Sequence, residues 1–429
     1  MTAAGFGSGR SLGVEDFPRW TMAPFAILVL AIAVLPIVAP RSWEKRGFQA
    51  LVVATCAVPV VAYLVMHARL EDLWNATASY ASFVTTLGAL YIASGGVQLL
   101  GDIEATPWTN VRMLLAGSFL ASFVGTTGAS MLLIRPLLRT NQQREHKAHL
   151  IPFFIMAVAN AGGLLTPLGD PPLLVGYIGG VPFFWTLRLI PIWLLYVGGF
   201  ALMFYWMDRR AYARETQAAI ARDRSEVTPL AVRGKRNIAL LAAVVPAALL
   251  PGGIREIAMV AICVASLALT PQEMRRANGF TFAPIVDVAI IFAGLFACLK
   301  PLEILLAGAA PWLPLQRSWQ LFWASGLLSS VLDNAPTYTA FAALARGVSA
   351  PSAALVAGIA PLKLAAVSAG SVVMGATTYI GNGPNLMVKA IAEHERFPTP
   401  TFFRYAAFAI AVMAPAHFVV TVALVLLER

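Results

Sequence analysis

Two carboxylates, Asp170 and Asp333, are the residues best placed in this chain to do chemistry. Each interrupts an apolar stretch: the first lies in TPLGDPPLL (Thr166 to Leu174), the second in LLSSVLDNAPTYTAF (Leu327 to Phe341). Neutral hydroxyls and amides accompany them. Asn160 precedes Asp170 by ten residues, while Ser329, Asn334 and Thr337 surround Asp333. Ser368 and Ser371 share one expected helical face that Gly375 and Thr378 continue, and Asn382 and Asn385 follow. Two acids among neutral oxygens, with no deep Arg or Lys, suit a small hard cation better than a bare anion. A sodium-type site is therefore expected at Asp170, Asp333 and Asn334, with a proton as the competing ligand.

The solvent around these acids follows from composition. The 429 residues are 59% hydrophobic and only 12% charged, with a mean hydropathy of +0.73. Soluble globular chains carry about 25% charge, so this is an integral membrane protein. About ten stretches approach the roughly 20 apolar residues a span needs. They lie near 20–40, 47–66, 76–100, 149–176, 182–207, 237–251, 253–270, 284–308, 360–392 and 401–427. No cleavable leader is evident, because Arg10, Glu15, Asp16 and Arg19 occupy the first 19 residues without a small-residue cleavage pattern. Asp170 and Asp333 fall at membrane depth, where an ionised acid costs several kcal/mol unless paired or solvated. Asp287, Lys300, Glu303 and Lys363 fall nearer span ends, where local pairing or snorkelling accounts for them.

Basic residues orient the chain. Placing 208–236 inside gathers Arg209, Arg210, Arg214, Arg222, Arg224, Arg233, Lys235 and Arg236 on that face, with Arg135, Arg139, Arg144 and Arg275. Both termini are then expected outside. The net charge of +10 reflects this asymmetry and anionic lipid, so no nucleic-acid partner is expected. Cys56, Cys263 and Cys298 are widely spaced and read as small core residues. His417 reads as a lone, tolerated histidine within a span.

Two segments are too polar for ordinary spans and too apolar for loops: 110–140 and 316–346. Each pairs two apolar arms around a polar tip, Gly125, Thr126 and Thr127 in one and Asp333, Asn334 and Ala335 in the other. An arm of about 12 helical residues rises roughly 18 Å, just past the middle of a core about 30 Å thick. Both read as re-entrant helical hairpins. After each hairpin comes a span that proline and glycine should unwind, at Gly169, Pro171 and Pro172 and at Gly381, Gly383 and Pro384. Unwound backbone at membrane depth must face protein or a polar cavity. The chain is thus expected to be an all-α membrane protein in two inverted-topology repeats, 1–207 and 237–429, joined by a charged cytoplasmic linker at 208–236.

The motifs TPLGDPPLL, GTTGASMLLIRPLL, SSVLDNAPTYTAF and TYIGNGPNLMVKAIAE together resemble those of the ion transporter superfamily. That group holds bacterial sodium/proton antiporters, arsenite permeases, citrate carriers and sodium/dicarboxylate symporters. The antiporter branch and sequences described as citrate transporters look most similar. The resemblance implies ion binding by Asn160, Asp170, Ser329, Asp333, Asn334, Ser368 and Ser371, and it implies a homodimer with elevator-like alternation. The chain departs from the antiporter pattern at the first hairpin tip, with Gly125, Thr126 and Thr127 in place of acids, and after the first break, with Pro172 and Leu173 in place of hydroxyls.

The expected activity is ion-gradient-driven transport across a bacterial inner membrane, most simply sodium/proton antiport. Symport of citrate or another organic anion or oxyanion with sodium or a proton is the alternative. An intramembrane aspartyl protease would pair Asp170 with Asp333, but its Gly-x-Gly-Asp pattern is absent at PLGD. No phosphate loop or nucleotide-binding domain is present, and no cofactor is expected beyond the transported ions.

Overall fold

A computed structural model describes residues 17–350 and 354–428. The first 16 residues, on which the reading of the leader rests, lie outside the described residues. In chain order the principal elements are α1 (Ala23–Val38), α2 (Arg46–Met66), α3 (Leu70–Ser94), β1 (Gln98–Asp102), α4 (Pro107–Val124), α5 (Thr126–Thr140), α6 (Leu150–Ala157), α7 (Pro171–Ile178), α8 (Ile190–Tyr212), α9 (Gln217–Ser225), β2 (Thr228–Arg233), α10 (Lys235–Ala248), α11 (Ile254–Leu269), α12 (Ala283–Ala309), α13 (Ser318–Ser329), α14 (Asn334–Gly347), α15 (Pro361–Val373), α16 (Gly383–His394) and α17 (Phe402–Leu427).

Five helices among the described residues are long and apolar enough to cross a membrane: Arg19–Pro36, Arg46–Met66, Phe183–Tyr212, Ala283–Trp312 and Phe402–Leu427. Their outer faces leave large apolar side chains uncovered, Leu30, Leu51, Leu202 and Phe418 among them. Water would penalise that surface heavily and hydrocarbon does not. The protein is a helical membrane protein.

Two apolar cores hold the helices. One joins α1, α2, α3 and α12, where Phe83 stacks on Phe292 with ring centroids 4.4 Å apart. The larger core is built from α4, α6, α8, α13, α15 and α17, and it surrounds the interrupted segments. Helix starts are written locally. Pro107, Pro171 and Pro361 each occupy the first helical position, where a missing amide costs nothing, and the Thr106 hydroxyl caps α4 by accepting from Thr109 N at 3.2 Å.

Three features differ from the sequence reading. The stretch 76–100 was expected to be helical throughout, but α3 starts at Leu70 and ends at Ser94, after which β1 pairs antiparallel with β2 from the linker. Gly95 and Gly96 favour the helix end, and a short apolar run such as QLL takes whichever geometry its neighbour offers. The first arm of the 110–140 segment is longer than expected, because α4 begins at Pro107. The face shared by Ser368 and Ser371 does not continue through Gly375 and Thr378, since α15 ends at Val373 and a 3-10 turn at Met374–Thr377 leaves Thr378 extended.

The linker is folded against the helix ends. Arg144 is buried and pairs with Asp208 at 2.6 Å and Glu215 at 3.4 Å, while Glu215 also accepts from the amides of Glu145 and His146. Burial opposes ionisation of Glu215, yet those two amides and Arg144 outweigh it and hold its carboxyl below the usual range. A depressed native pKa contributes stability that is complete above the free value near 4.5 and is lost as pH falls through the native value. Glu215→Gln should therefore loosen the linker at neutral pH, with trypsin cleavage after Arg222 several-fold faster than in the parent. Unchanged cleavage would show that the sheet and Asp208 hold the linker without Glu215.

Candidate functional site

Asp170 lies at the end of the first interruption, where the chain turns extended before Pro171 starts α7. It is 2% exposed. Three neutral donors from three different segments converge on its carboxylate. Thr126, at the start of α5, donates to Oδ1 at 2.7 Å, Asn334, at the start of α14, donates to Oδ2, and Asn382, from the second interruption, reaches Oδ1 at 3.4 Å. Among the described residues no Lys or Arg pairs with Asp170. Charge-assisted hydrogen bonds from neutral groups thus do the work of a counter-ion.

A second set of amides locks the two interruptions together. Asn160 Nδ2 donates to Ile155 O at 2.9 Å and to Asn385 Oδ1 at 2.7 Å, and Asn385 Nδ2 returns to Gly375 O and Thr378 O at 2.9 and 3.0 Å. Asn382 Nδ2 also reaches Asn160 Oδ1 at 3.2 Å and Ala159 O at 3.1 Å. Each interruption is then tied to the helix pair before it by the same bonds. Thr166 donates to Ser122 O, and Thr378 donates to Ser330 O at 2.5 Å; the Thr166 and Thr378 hydroxyls accept from Leu168 N and Ile380 N at 3.2 Å in each case.

Backbone geometry at the helix joins serves the site. Gly125 joins α4 to α5 with φ +83°, a conformation glycine adopts without cost. It lets Thr126 N donate to Gly169 O at 2.8 Å while the Thr126 side chain reaches Asp170.

The expected site residues fall into distinct roles. Asp170, Asn334, Thr126, Asn382, Asn160 and Asn385 form one connected network. Ser329 donates to Ser371 O at 2.6 Å and braces α13 against α15, whereas Ser368, buried on α15, makes no bond to the network. Asp333 is half-buried, and its carboxylate caps α14 by accepting from Ala335 N at 3.1 Å. No hydrogen bond joins it to Asp170 among the described residues. A carboxyl pair sharing a proton, as an aspartyl protease needs, is not what the structure places here. Thr337 donates to Asp333 O at 3.0 Å, and Thr127 is half-exposed beside the cavity described next.

That cavity, of about 50 Å³, lies between α3, α5, α7 and the start of α12. Asp170, Thr126 and Thr127 are its polar wall; Leu87, Tyr91, Leu174, Pro284 and Val288 are apolar. Asn334 Oδ1 and Ser371 Oγ are buried without a hydrogen-bond partner among the described residues. Ser122, Thr166 and the cavity-lining Tyr91 were not singled out from the sequence. For Thr166 the signal was present, because TPLGDPP and TYIGNGP align threonine with threonine just as they align Asp170 with Asn382.

Three of the four charges nearer span ends are paired or anchored locally: Asp287 with Arg46 at 3.2 Å, Glu303 with Arg346 at 3.9 Å, and Lys363 on Val348 O at 2.5 Å. His417 is not alone, since its Nδ1 lies 2.5 Å from the buried Tyr196 hydroxyl.

The chain is a helical membrane protein that buries Asp170 in a cage of neutral donors beside a cavity. Residues 14–426 match the family described as "Putative citrate transport", and the chain belongs to that family. No curated protein matches the chain.

Proposed function

We propose that the protein is an ion-gradient-driven secondary transporter that moves an organic carboxylate together with a coupling cation, sodium or a proton. The observation that carries this reading is the cavity that places Asp170 next to the start of α5, in a chain matched to the putative citrate transport family over residues 14–426. The amides of Thr127 and Gly128 lie in the first turn of α5 and have no intrahelical acceptor, so with the Thr127 hydroxyl they offer donors to a carboxylate. A free anion there would meet the charge of Asp170. Cation binding at Asp170 removes that repulsion, and this ordering couples the two fluxes. Asn334 Oδ1, buried without a partner among the described residues and on a side chain bonded to Asp170, is the neutral oxygen that would join a sodium-type shell.

The matched bonds at Thr166 and Thr378 support reading the chain as two inverted repeats, with α4–α5 and α13–α14 as re-entrant hairpins. In this reading the hairpins and interrupted helices move as one unit against the α1, α2, α3 and α12 core within a homodimer of the bacterial inner membrane. Exchange of sodium for protons is the second reading, favoured by the purely neutral donor set around Asp170 and by the lack, among the described residues, of any basic residue lining the cavity.

Proteoliposomes decide between them. Labelled citrate and smaller dicarboxylates should accumulate only under an imposed sodium or proton gradient. Gradient-driven proton flux with no carboxylate uptake would replace symport with exchange, and neither flux would overturn both readings.

A further inference from the structure

A second cavity lies next along α5, toward the face that carries residues 208–236. It is about 40 Å³ and is lined by the end of α3, by β1, by Asn278 and by α5 residues Met131, Arg135 and Arg139. Thr127, Met131, Arg135 and Arg139 are spaced four residues apart, so one face of α5 runs from the central cavity through the second. The α3 wall is shared in the same way, with Tyr91 in the first cavity and Ser94 in the second.

Both guanidiniums are held but not neutralised. Arg135 Nη1 donates to Asn278 O at 2.7 Å and Arg139 Nη1 to Gly101 O at 2.9 Å. Neither forms an ion pair among the described residues, not even with Asp102 beside Gly101, whereas Arg144 and Arg224 on the same face are paired with carboxylates. Two fixed, half-buried cations with unused N–H donors, side by side in a polar cavity, form an anion receptor.

We propose that Arg135 and Arg139 form an antechamber site that binds the carboxylates of the transported organic anion on the face carrying residues 208–236, one stage before the central cavity. Among the described residues the central cavity has no basic residue in its wall, so the antechamber supplies the charge complementarity that the Asp170 site lacks. A multivalent carboxylate spans the two guanidiniums. The inference rests on the carboxylate reading for its cargo, but its anion chemistry can be measured independently.

The test uses full-length protein with Arg135→Gln, Arg139→Gln and the double variant. In vesicles of known orientation, the double variant should raise the half-saturating citrate concentration about tenfold or more on the face of residues 208–236, with little change on the opposite face. Shifts of equal size on both faces, or on neither, would overturn the proposal. Where the double variant does not fold, unmodified protein should show inhibition by inorganic phosphate and by rising ionic strength from that face only; symmetrical inhibition would overturn the proposal. Citrate binding to purified Asp170→Asn protein by calorimetry separates the two readings. The antechamber should bind citrate, and lose it with Arg135→Gln and Arg139→Gln, even if no carboxylate is transported. Absence of binding in the parent and in Asp170→Asn would overturn the antechamber. Displacement of bound citrate by cardiolipin, with no effect of the arginine variants on transport affinity, would reassign the receptor to a lipid headgroup and overturn it as a cargo site.

Discussion

Asp170→Asn should reduce gradient-coupled transport by about a hundredfold or more while the protein still inserts, purifies and melts at or above the parent temperature. The charge is what changes. Asparagine has nearly the same shape and keeps one oxygen for Thr126 and Asn382, but it removes the negative charge that attracts a cation and sets a second NH2 against the Asn334 amide. Removing a buried charge that only neutral donors stabilise relieves a desolvation cost of several kcal/mol, which offsets the lost hydrogen bond. Asp333→Asn is the informative comparison. Asn also caps helices well, so a residue whose bond is to Ala335 N should tolerate the change, with transport within about tenfold of the parent. If both variants transport normally, the assignment of the coupling site to this network fails. If both are dead, Asp333 shares the cation with Asp170 in another state of the transport cycle.

Gly169→Ala and Gly381→Ala should each eliminate transport and lower expression sharply, whereas Gly383→Ala should behave as the parent. A Cβ on Gly169 would lie 2.2 Å from Gly163 O, and one on Gly381 would lie 2.5 Å from Gly375 O and 2.7 Å from Ser329 O. These neighbours are backbone atoms in a packed interior and have no rotamer by which to retreat. Each interruption is a loop that crosses over itself glycine to glycine, and widening the crossing would pull Asp170 or Asn382 away from Asn160 and Thr126. Gly383 has nothing within 4 Å of its Cβ position, which makes it the control for helix propensity alone. Active, well-expressed Gly169→Ala protein, assayed by uptake and size-exclusion profile, would show that the crossings relax more than close-packed backbone allows.

The membrane character of the chain, its interrupted segments and the polar residues at them were legible in the sequence, because each depends on local composition. A run of apolar residues is hydrophobic wherever it folds, and proline and glycine weaken a helix through their own backbone. The pairing of Asp170 with Asn382 and of Thr126 with Asn334 across the two halves was also visible as aligned motifs. Other features were decided only in three dimensions. Asp333 and Asn334 are adjacent in sequence, yet one turns to its own helix amide and the other to a carboxylate 164 residues away. Nothing local separates them, since each is a short polar side chain at a helix start. The strand at Gln98–Asp102 exists because its partner arrives from the linker, and a short apolar run carries no record of that partner. The unneutralised state of Arg135 and Arg139 is likewise a property of their surroundings. Sequence supplies the charge, and only the packing of α3, β1 and α5 determines that no carboxylate among the described residues lies within ion-pair distance of it.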